Sequence, residues 1–185
     1  MSNGLKVKKR NGRGTESLQL DKIHKMVEEA CNGLAGVSAS QVEIQSGIQF
    51  YDGITTAEIQ EILIKSASDL IDLDHPNYQF VAARLLLFAL RKSLYGKMRE
   101  MPHLEQHIYK CVGKDVYDSG IYDKYSKEEI EKANSYIDHD RDFLFTYAGL
   151  RQVVDKYLVQ DRSTGGGYET PQFMYMMIAL TIFAE

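Results

Sequence analysis

The first fourteen residues carry Lys6, Lys8, Lys9, Arg10 and Arg13 and no acidic side chain. Lys9 and Arg10 stand just before Asn11-Gly12, a turn dipeptide, and Lys22 follows Asp21 at what reads as the start of a helix. A helix N-terminus presents amide donors and the positive end of the dipole, so cations gathered around one would bind phosphates. Lys92 joins the set because it comes late in an otherwise apolar segment, where a charge does not suit a core role. Such a site could hold a triphosphate, with Glu16 or Thr56 placed for sugar or base. The bland reading of the same residues is a solvated basic terminus on a small lobe. Neither GxxxxGK[ST] nor GxGxxG occurs, which excludes the two commonest phosphate loops.

Other chemistry-bearing residues are weaker leads. His103 and His107 are spaced i, i+4 with Glu105 between them, but two imidazoles are too few for a metal site and HExxH is absent. They read as surface histidines. His139, in Ile137-Asp138-His139-Asp140-Arg141-Asp142, reads as part of a helix start with local ion pairs rather than a triad member. No Ser or Cys stands in a nucleophile-elbow sequence. Thr164-Gly165-Gly166-Gly167 reads as a flexible hairpin tip, since no basic residue follows the glycines. Met174, Met176 and Met177 read as core fillers. Cys31 and Cys111 form no CxxC, zinc knuckle or disulfide framework, which fits a reducing compartment. The expectation is no catalytic residue and no metal ligand in this chain.

The elements that must position these residues are mostly helical. The chain has 185 residues, 44% hydrophobic and 26% charged, room for one domain or two small ones. Its net charge of −4 does not mark a nucleic-acid binder, and three prolines argue against a turn-rich all-β design. No run reaches the roughly 18 apolar residues of a membrane span, and the basic N-terminus lacks the apolar run of a signal peptide.

The pattern predicts a β-hairpin turning at Asn11-Gly12, then a helix capped by Asp21 with Ile23, Met26, Val27 and Ala30 on one face. A second helix follows Ser38, with Val42, Ile44 and Ile48 partly buried. A third is capped by Thr55 or Thr56, with Ile59, Ile62, Leu63, Ala67, Leu70 and Ile71 as a broad apolar face. After the His75-Pro76 break, Tyr78 to Tyr95 is apolar on most sides and reads as a central helix ended by Gly96. Beyond a linker at 97–102 come a helix near Leu104–Val112, one capped by Ser126, a longer one from Asp138 to about Leu158, and an apolar last helix from Thr170 or Pro171.

Val7-Lys8-Lys9-Arg10-Asn11-Gly12, then Asp21-Lys22-Ile23, resembles the opening of an ATP-cone domain. The series continues through Gln49-Phe50-Tyr51-Asp52-Gly53-Ile54-Thr55-Thr56, Tyr78-Gln79-Phe80-Val81-Ala82-Ala83-Arg84-Leu85, Leu90-Arg91-Lys92 and Tyr95-Gly96. Ile137 to Asp142, Lys156-Tyr157-Leu158-Val159 and Tyr168-Glu169-Thr170-Pro171-Gln172-Phe173 complete it. Together these are similar to the large (alpha) subunit of class Ia ribonucleoside-diphosphate reductase, in its enterobacterial and T-even-phage branch.

The resemblance implies a mainly α fold in which a small β-hairpin caps a four-helix cone over 1–96. An incomplete N-terminal helical domain follows over 97–185, ahead of a ten-stranded α/β barrel that is absent. It implies regulation: the cone binds ATP as activator or dATP as inhibitor, with Mg2+, and controls reduction of ribonucleoside diphosphates to deoxyribonucleotides for DNA synthesis. The enzyme is a thioredoxin- or glutaredoxin-dependent oxidoreductase whose catalytic cysteines lie in the barrel. This chain is therefore expected to hold no redox cofactor and to be inactive without a barrel-bearing polypeptide, whether as a split-gene product or as a piece of a longer chain. Further expected partners are the radical-generating small subunit and copies of itself in the holoenzyme, with no nucleic acid and no membrane. The expected location is the cytoplasm of a bacterial or phage-infected cell.

Carried over, the nucleotide contacts fall on Val7, Lys9, Arg10, the run Glu16, Ser17, Leu18, Gln19, Leu20, Asp21, Lys22 and Ile23, then Thr56, Gln60, Phe88 and Lys92. Lys9, Lys22, Lys92 and Thr56 would meet phosphates and Glu16 the sugar or base. Two departures from the family stand out. The hairpin has one extra residue around Arg13-Gly14, and Gln60 stands where the cellular enzymes carry histidine. A working pocket with weakened dATP inhibition is expected. The alternative is a free-standing ATP-cone sensor regulating another partner, although ATP-cone repressors carry a four-cysteine zinc ribbon that this chain lacks. A third reading is a pure interaction domain.

Overall fold

The computed structural model describes residues 5–9, 14–47, 49–161 and 163–184. The chain forms two compact units, Met1–Ala89 with Phe145–Leu150, and Leu90–Leu144 with Arg151–Glu185.

The first unit opens with a three-stranded sheet. β1 (Lys6–Lys8) pairs antiparallel with β2 (Thr15–Ser17) and parallel with β3 (Ile54–Thr55). The predicted hairpin is present, its Asn11-Gly12 turn lying outside the described residues. The third strand was not expected: two residues are too short for a periodicity signal, and Gly53, at φ 83°, turns the chain into it and donates to Lys6 O at 2.8 Å.

Helices α1 (Leu20–Cys31), α2 (Ala39–Gly47), α3 (Thr56–Asp69) and α4 (Tyr78–Tyr95) follow. Asp21 is not the cap of α1. Gln19 holds that position without a side-chain bond, and Asp21 sits in the first turn. On α2, Val42 is buried but Ile44 is exposed, because two helical positions lie on nearly opposite faces. On α3, Leu63 and Ala67 are buried, whereas Leu70 and Ile71 pass beyond the helix, Leu70 half-buried and Ile71 exposed. Ile48 lies outside the described residues. α4 is central as expected, with Tyr78, Val81, Ala82, Leu85 and Phe88 all buried. Arg84 ties it to α1 by donating to Ala30 O and Asn32 O, at 3.0 and 2.7 Å, where α1 leaves its last carbonyls.

The second unit takes in the end of α4, then α5 (Leu104–Val112), α6 (Ile121–Lys124), α7 (Lys127–Ser135) and α9 (Pro171–Ile182). Its core joins Leu104, Ile108, Ile130, Ala133 and Phe173. Ser126 and Glu129 form a capping box on α7. The single long helix expected from Asp138 to Leu158 is instead three pieces: a 3-10 turn (His139–Leu144), α8 (Tyr147–Gln152) and a π turn (Val153–Tyr157). Local side-chain bonds compete with the helix there. Asp138 accepts from Asp140 N–H at 3.0 Å, and Thr146 accepts from Gly149 N–H at 3.3 Å and starts α8 afresh.

Of the two histidines read as surface residues, His103 is at the surface and His107 is not. His107 is 1% exposed and stacked on Phe173, with ring centroids 4.1 Å apart. It shares the buried face of α5 with Leu104, Ile108 and Cys111. His103 pairs at the surface with Glu131, at 3.1 Å. The Gly165 region is a hairpin tip, closed by the bridge between Gln160 and Gly167.

Candidate functional site

The sheet register decides which of the chain's polar side chains share a surface. Val7 pairs with Glu16 on one side and Ile54 on the other, so these three lie on one face. Val7 and Ile54 are 3% and 0% exposed, which makes this the inner face. Lys6, Lys8, Thr15 and Ser17 fall on the outer, exposed face. Glu16 is thus a carboxylate on the inward side of a small sheet. Lys9, two residues beyond Val7, shares its face, and Lys9 Nζ lies 3.1 Å from Glu16 Oε2. Both side chains keep access to solvent, so this pair contributes no more than about 1 kcal/mol and is readily exchanged for another partner.

Each end of the strands leads to a helix N-terminus. Beyond Lys8 and Thr55, which are paired, Thr56 begins α3. At the other end Leu18 N–H donates to Leu5 O at 2.7 Å, and α1 starts just after. The two differ in how their first amides are used. Thr55 accepts from Glu58 N–H at 3.1 Å, and Glu58 Oε2 accepts from Thr55 N–H at 2.8 Å. Tyr51 donates to the other Glu58 oxygen at 2.8 Å. The Thr55 and Tyr51 bonds hold the Glu58 carboxyl below the usual carboxylate range. α3 therefore carries its own anion, whereas Gln19 places no side-chain acceptor on α1. The Leu20 and Asp21 amides stand at the positions that have no intrahelical partner.

Of the residues selected from the sequence, Val7, Lys9, Glu16 and Ser17 lie on or beside the paired strands and Leu18 to Ile23 lead into α1. Thr56 opens α3. Ile23, Gln60 and Phe88 are buried, at 8, 6 and 1% exposure, and so are not part of a free surface. Arg10 lies outside the described residues. Lys92 is exposed on the last turn of α4 and belongs to the second unit. Lys9 and the first turn of α1 are separated by the strand length, roughly 10 Å for three residues. A ligand touching both has to lie along the sheet.

Of the two threonines the sequence offered as the cap, Thr55 takes that place and Glu58 closes the box. Sequence reasoning passed over the buried polar cluster of the second unit. Arg91 is 1% exposed, donates to His139 O and lies 3.1 Å from Asp142 Oδ2, while Gln172 donates to Asp142 Oδ1 at 3.2 Å. Burial pushes the Asp142 carboxyl up and Arg91 draws it back. Burial, with Lys110 nearby, lowers the His107 imidazole to about 4, and burial with Arg91 lowers His139 to about 4. The only hint in the sequence was a charge on an apolar helix, and that hint pointed to Lys92 rather than its neighbour.

Residues 5–93 match the ATP cone domain family, and residues 143–185 match the all-alpha domain of ribonucleotide reductase. Over all 185 residues the chain is 48% identical to ribonucleoside-diphosphate reductase 1 subunit alpha of Escherichia coli strain K12. It is 46% identical, also over its full length, to the alpha subunit of Haemophilus influenzae. Over 173 residues, 92% of the chain, it is 43% identical to the alpha subunit of Enterobacteria phage T4. The chain spans 24%, 24% and 22% of these relatives, about a quarter of their length.

Proposed function

Because the chain carries an ATP cone and then residues of the ribonucleotide reductase all-alpha domain, we propose that it is the nucleotide-sensing N-terminal part of a ribonucleoside-diphosphate reductase alpha subunit. In this reading residues 1–96 form the regulatory domain and 97–185 the beginning of the helical domain. ATP or dATP lies along the inner face of the sheet, between Lys9 and the first turn of α1, and Mg2+ arrives with the nucleotide. Among the described residues no group of three His, Cys, Asp or Glu could hold a metal by itself. The polypeptide carrying the catalytic barrel and the small subunit complete the enzyme, which reduces ribonucleoside diphosphates in the cytoplasm. Among the described residues no helix is long and apolar enough to cross a membrane.

The observation that carries this reading is the inward Glu16 beside Lys9, next to an α1 N-terminus with no side-chain cap. A triphosphate supplies the anion that Lys9, Lys22 and the free α1 amides select, and Glu16 then becomes available to ribose hydroxyls or base amines. Arg10, Gln60, Phe88 and Lys92 enter through the family resemblance. Gln60 replaces the family's histidine one turn after Thr56, and weakened dATP inhibition of the assembled enzyme is part of the reading.

Isothermal calorimetry of this chain with ATP and dATP tests it. Binding of both, weakened at least tenfold by Lys9→Ala and by Lys22→Ala, is the expected result. No heat from either nucleotide overturns the nucleotide reading. Strong dATP inhibition of the assembled enzyme overturns the role given to Gln60.

A further inference from the structure

Within the three strands the inner face presents a single ionised side chain, Glu16, beside the buried Val7 and Ile54. The strand lysines, Lys6 and Lys8, lie on the outer face. Among the described strand residues, then, no cation shares the face of Glu16. Its carboxylate is neutralised from just beyond β1, by Lys9 Nζ at 3.1 Å. The Glu16 side chain is 34% exposed and that of Lys9 45%. A carboxylate in that position regains only part of its hydration when its partner leaves.

The pair sets a condition on whatever binds here. Lys9 Nζ is a cation that an incoming phosphate would use, and Glu16 already holds it. An oxyanion at hydrogen-bond distance from Nζ lies within about 6 Å of Glu16 Oε2, where two negative charges oppose each other. An ionised carboxylate accepts hydrogen bonds and donates none. Only a donor on the ligand can therefore replace what Lys9 withdraws. A bare polyphosphate presents oxyanions alone. A nucleotide brings the anion together with donors, its ribose hydroxyls and the exocyclic amine of adenine.

We propose that the Lys9–Glu16 pair is the element by which this site tells a nucleoside polyphosphate from a bare polyphosphate: Glu16 excludes anions that bring no hydrogen-bond donor. This rests on the nucleotide reading proposed above and gives Glu16 a second role, exclusion, besides contact. Selectivity of this kind comes from leaving the competitor with an unpaired charge opposite it, and it adds no contact to the correct ligand. Its size is bounded by the pair itself. An ion pair this open to water is worth up to about fivefold in an equilibrium constant, and a bare polyphosphate meets that handicap at Lys9.

The test titrates ATP and, separately, inorganic tripolyphosphate, each with Mg2+, into the wild-type chain, Glu16→Gln and Glu16→Asp by calorimetry, with folding checked by circular dichroism. Glu16→Gln weakens ATP about tenfold and strengthens tripolyphosphate about two- to fivefold. Loss of folding would weaken both, so the opposite signs belong to the carboxylate. Glu16→Asp keeps the charge and leaves tripolyphosphate within about twofold of the wild type. A tripolyphosphate affinity that is unchanged or weaker in Glu16→Gln overturns the proposal. So does an equal gain in Glu16→Asp, because the charge would then not be its cause. The two readings fail differently: no heat from ATP in the wild-type chain removes the nucleotide site itself, whereas ATP binding with tripolyphosphate indifferent to Glu16→Gln removes the exclusion alone.

Discussion

The two units use the same kinds of side chain in opposite ways. In the first, Lys9 and Glu16 meet at 3.1 Å with roughly two-fifths of their side-chain surface still open to water. In the second, Arg91 and Asp142 meet at the same 3.1 Å with 1% and 0% exposed. Distance alone does not distinguish the pairs, but solvation does. An exposed pair has partners available in water and can trade one for a phosphate at little cost. A buried pair that loses a member leaves a charge in low dielectric. Polar groups at the sheet stay open to solvent, while polar groups under α9 hold the structure together.

The largest expected effect tests that contrast directly. Arg91→Met strands Asp142 and destabilises the chain by about 3–5 kcal/mol, read by urea unfolding. A cost below about 1 kcal/mol would show the buried pair behaving like a surface one.

The histidines give the next largest effect. His107 is held at about 4 by burial, and His24 is raised above 6.5 chiefly by its bond to Glu43 on α2. Proton NMR titration should place their midpoints on opposite sides of 6.5. The depressed His107 contributes stability that is present above about pH 6.5 and lost as pH falls toward 4, on the order of 3 kcal/mol. Glu169 and Asp142, with raised carboxyls, act with the opposite sign. Their stabilisation is full below the ordinary carboxylate range and lost as pH rises through their folded values. Because these terms oppose one another in unfolding, the NMR midpoint decides the matter: a His107 midpoint above 6.5 would deny it its buried neutral state.

The contrast should vanish where both units use the same exposed device. Thr55→Ala and Ser126→Ala each break a capping box and should each cost about 1 kcal/mol, measured by thermal unfolding. Unequal costs would show that burial reaches one of the caps. The smallest stability effect belongs to Glu16→Gln, less than about 1 kcal/mol. It should nonetheless weaken ATP binding about tenfold, the worth of one hydrogen bond to a charged group, in calorimetry. Unchanged ATP affinity would remove Glu16 from the site.

Local pattern was enough for much of this molecule. The hairpin beside Lys9, the caps at Thr55 and Ser126, the central α4 and the apolar α9 each follow from residues within a turn or two of one another. So did the choice of Lys9, Glu16, Lys22 and Thr56, because residue type and a nearby helix start suffice to suggest anion binding. What sequence could not supply was partnership across distance. Whether Glu16 faces inward depends on its register with Val7. That Asp142 is buried depends on Arg91, fifty-one positions away. His107 reads from the sequence as a surface histidine, whereas Phe173 stacks on it from another helix. Helix and turn preferences are short-range energies that a sequence displays directly. Burial and solvation depend on what the rest of the chain places nearby, so only the tertiary structure decided which charges stay open to water and which are committed to the core.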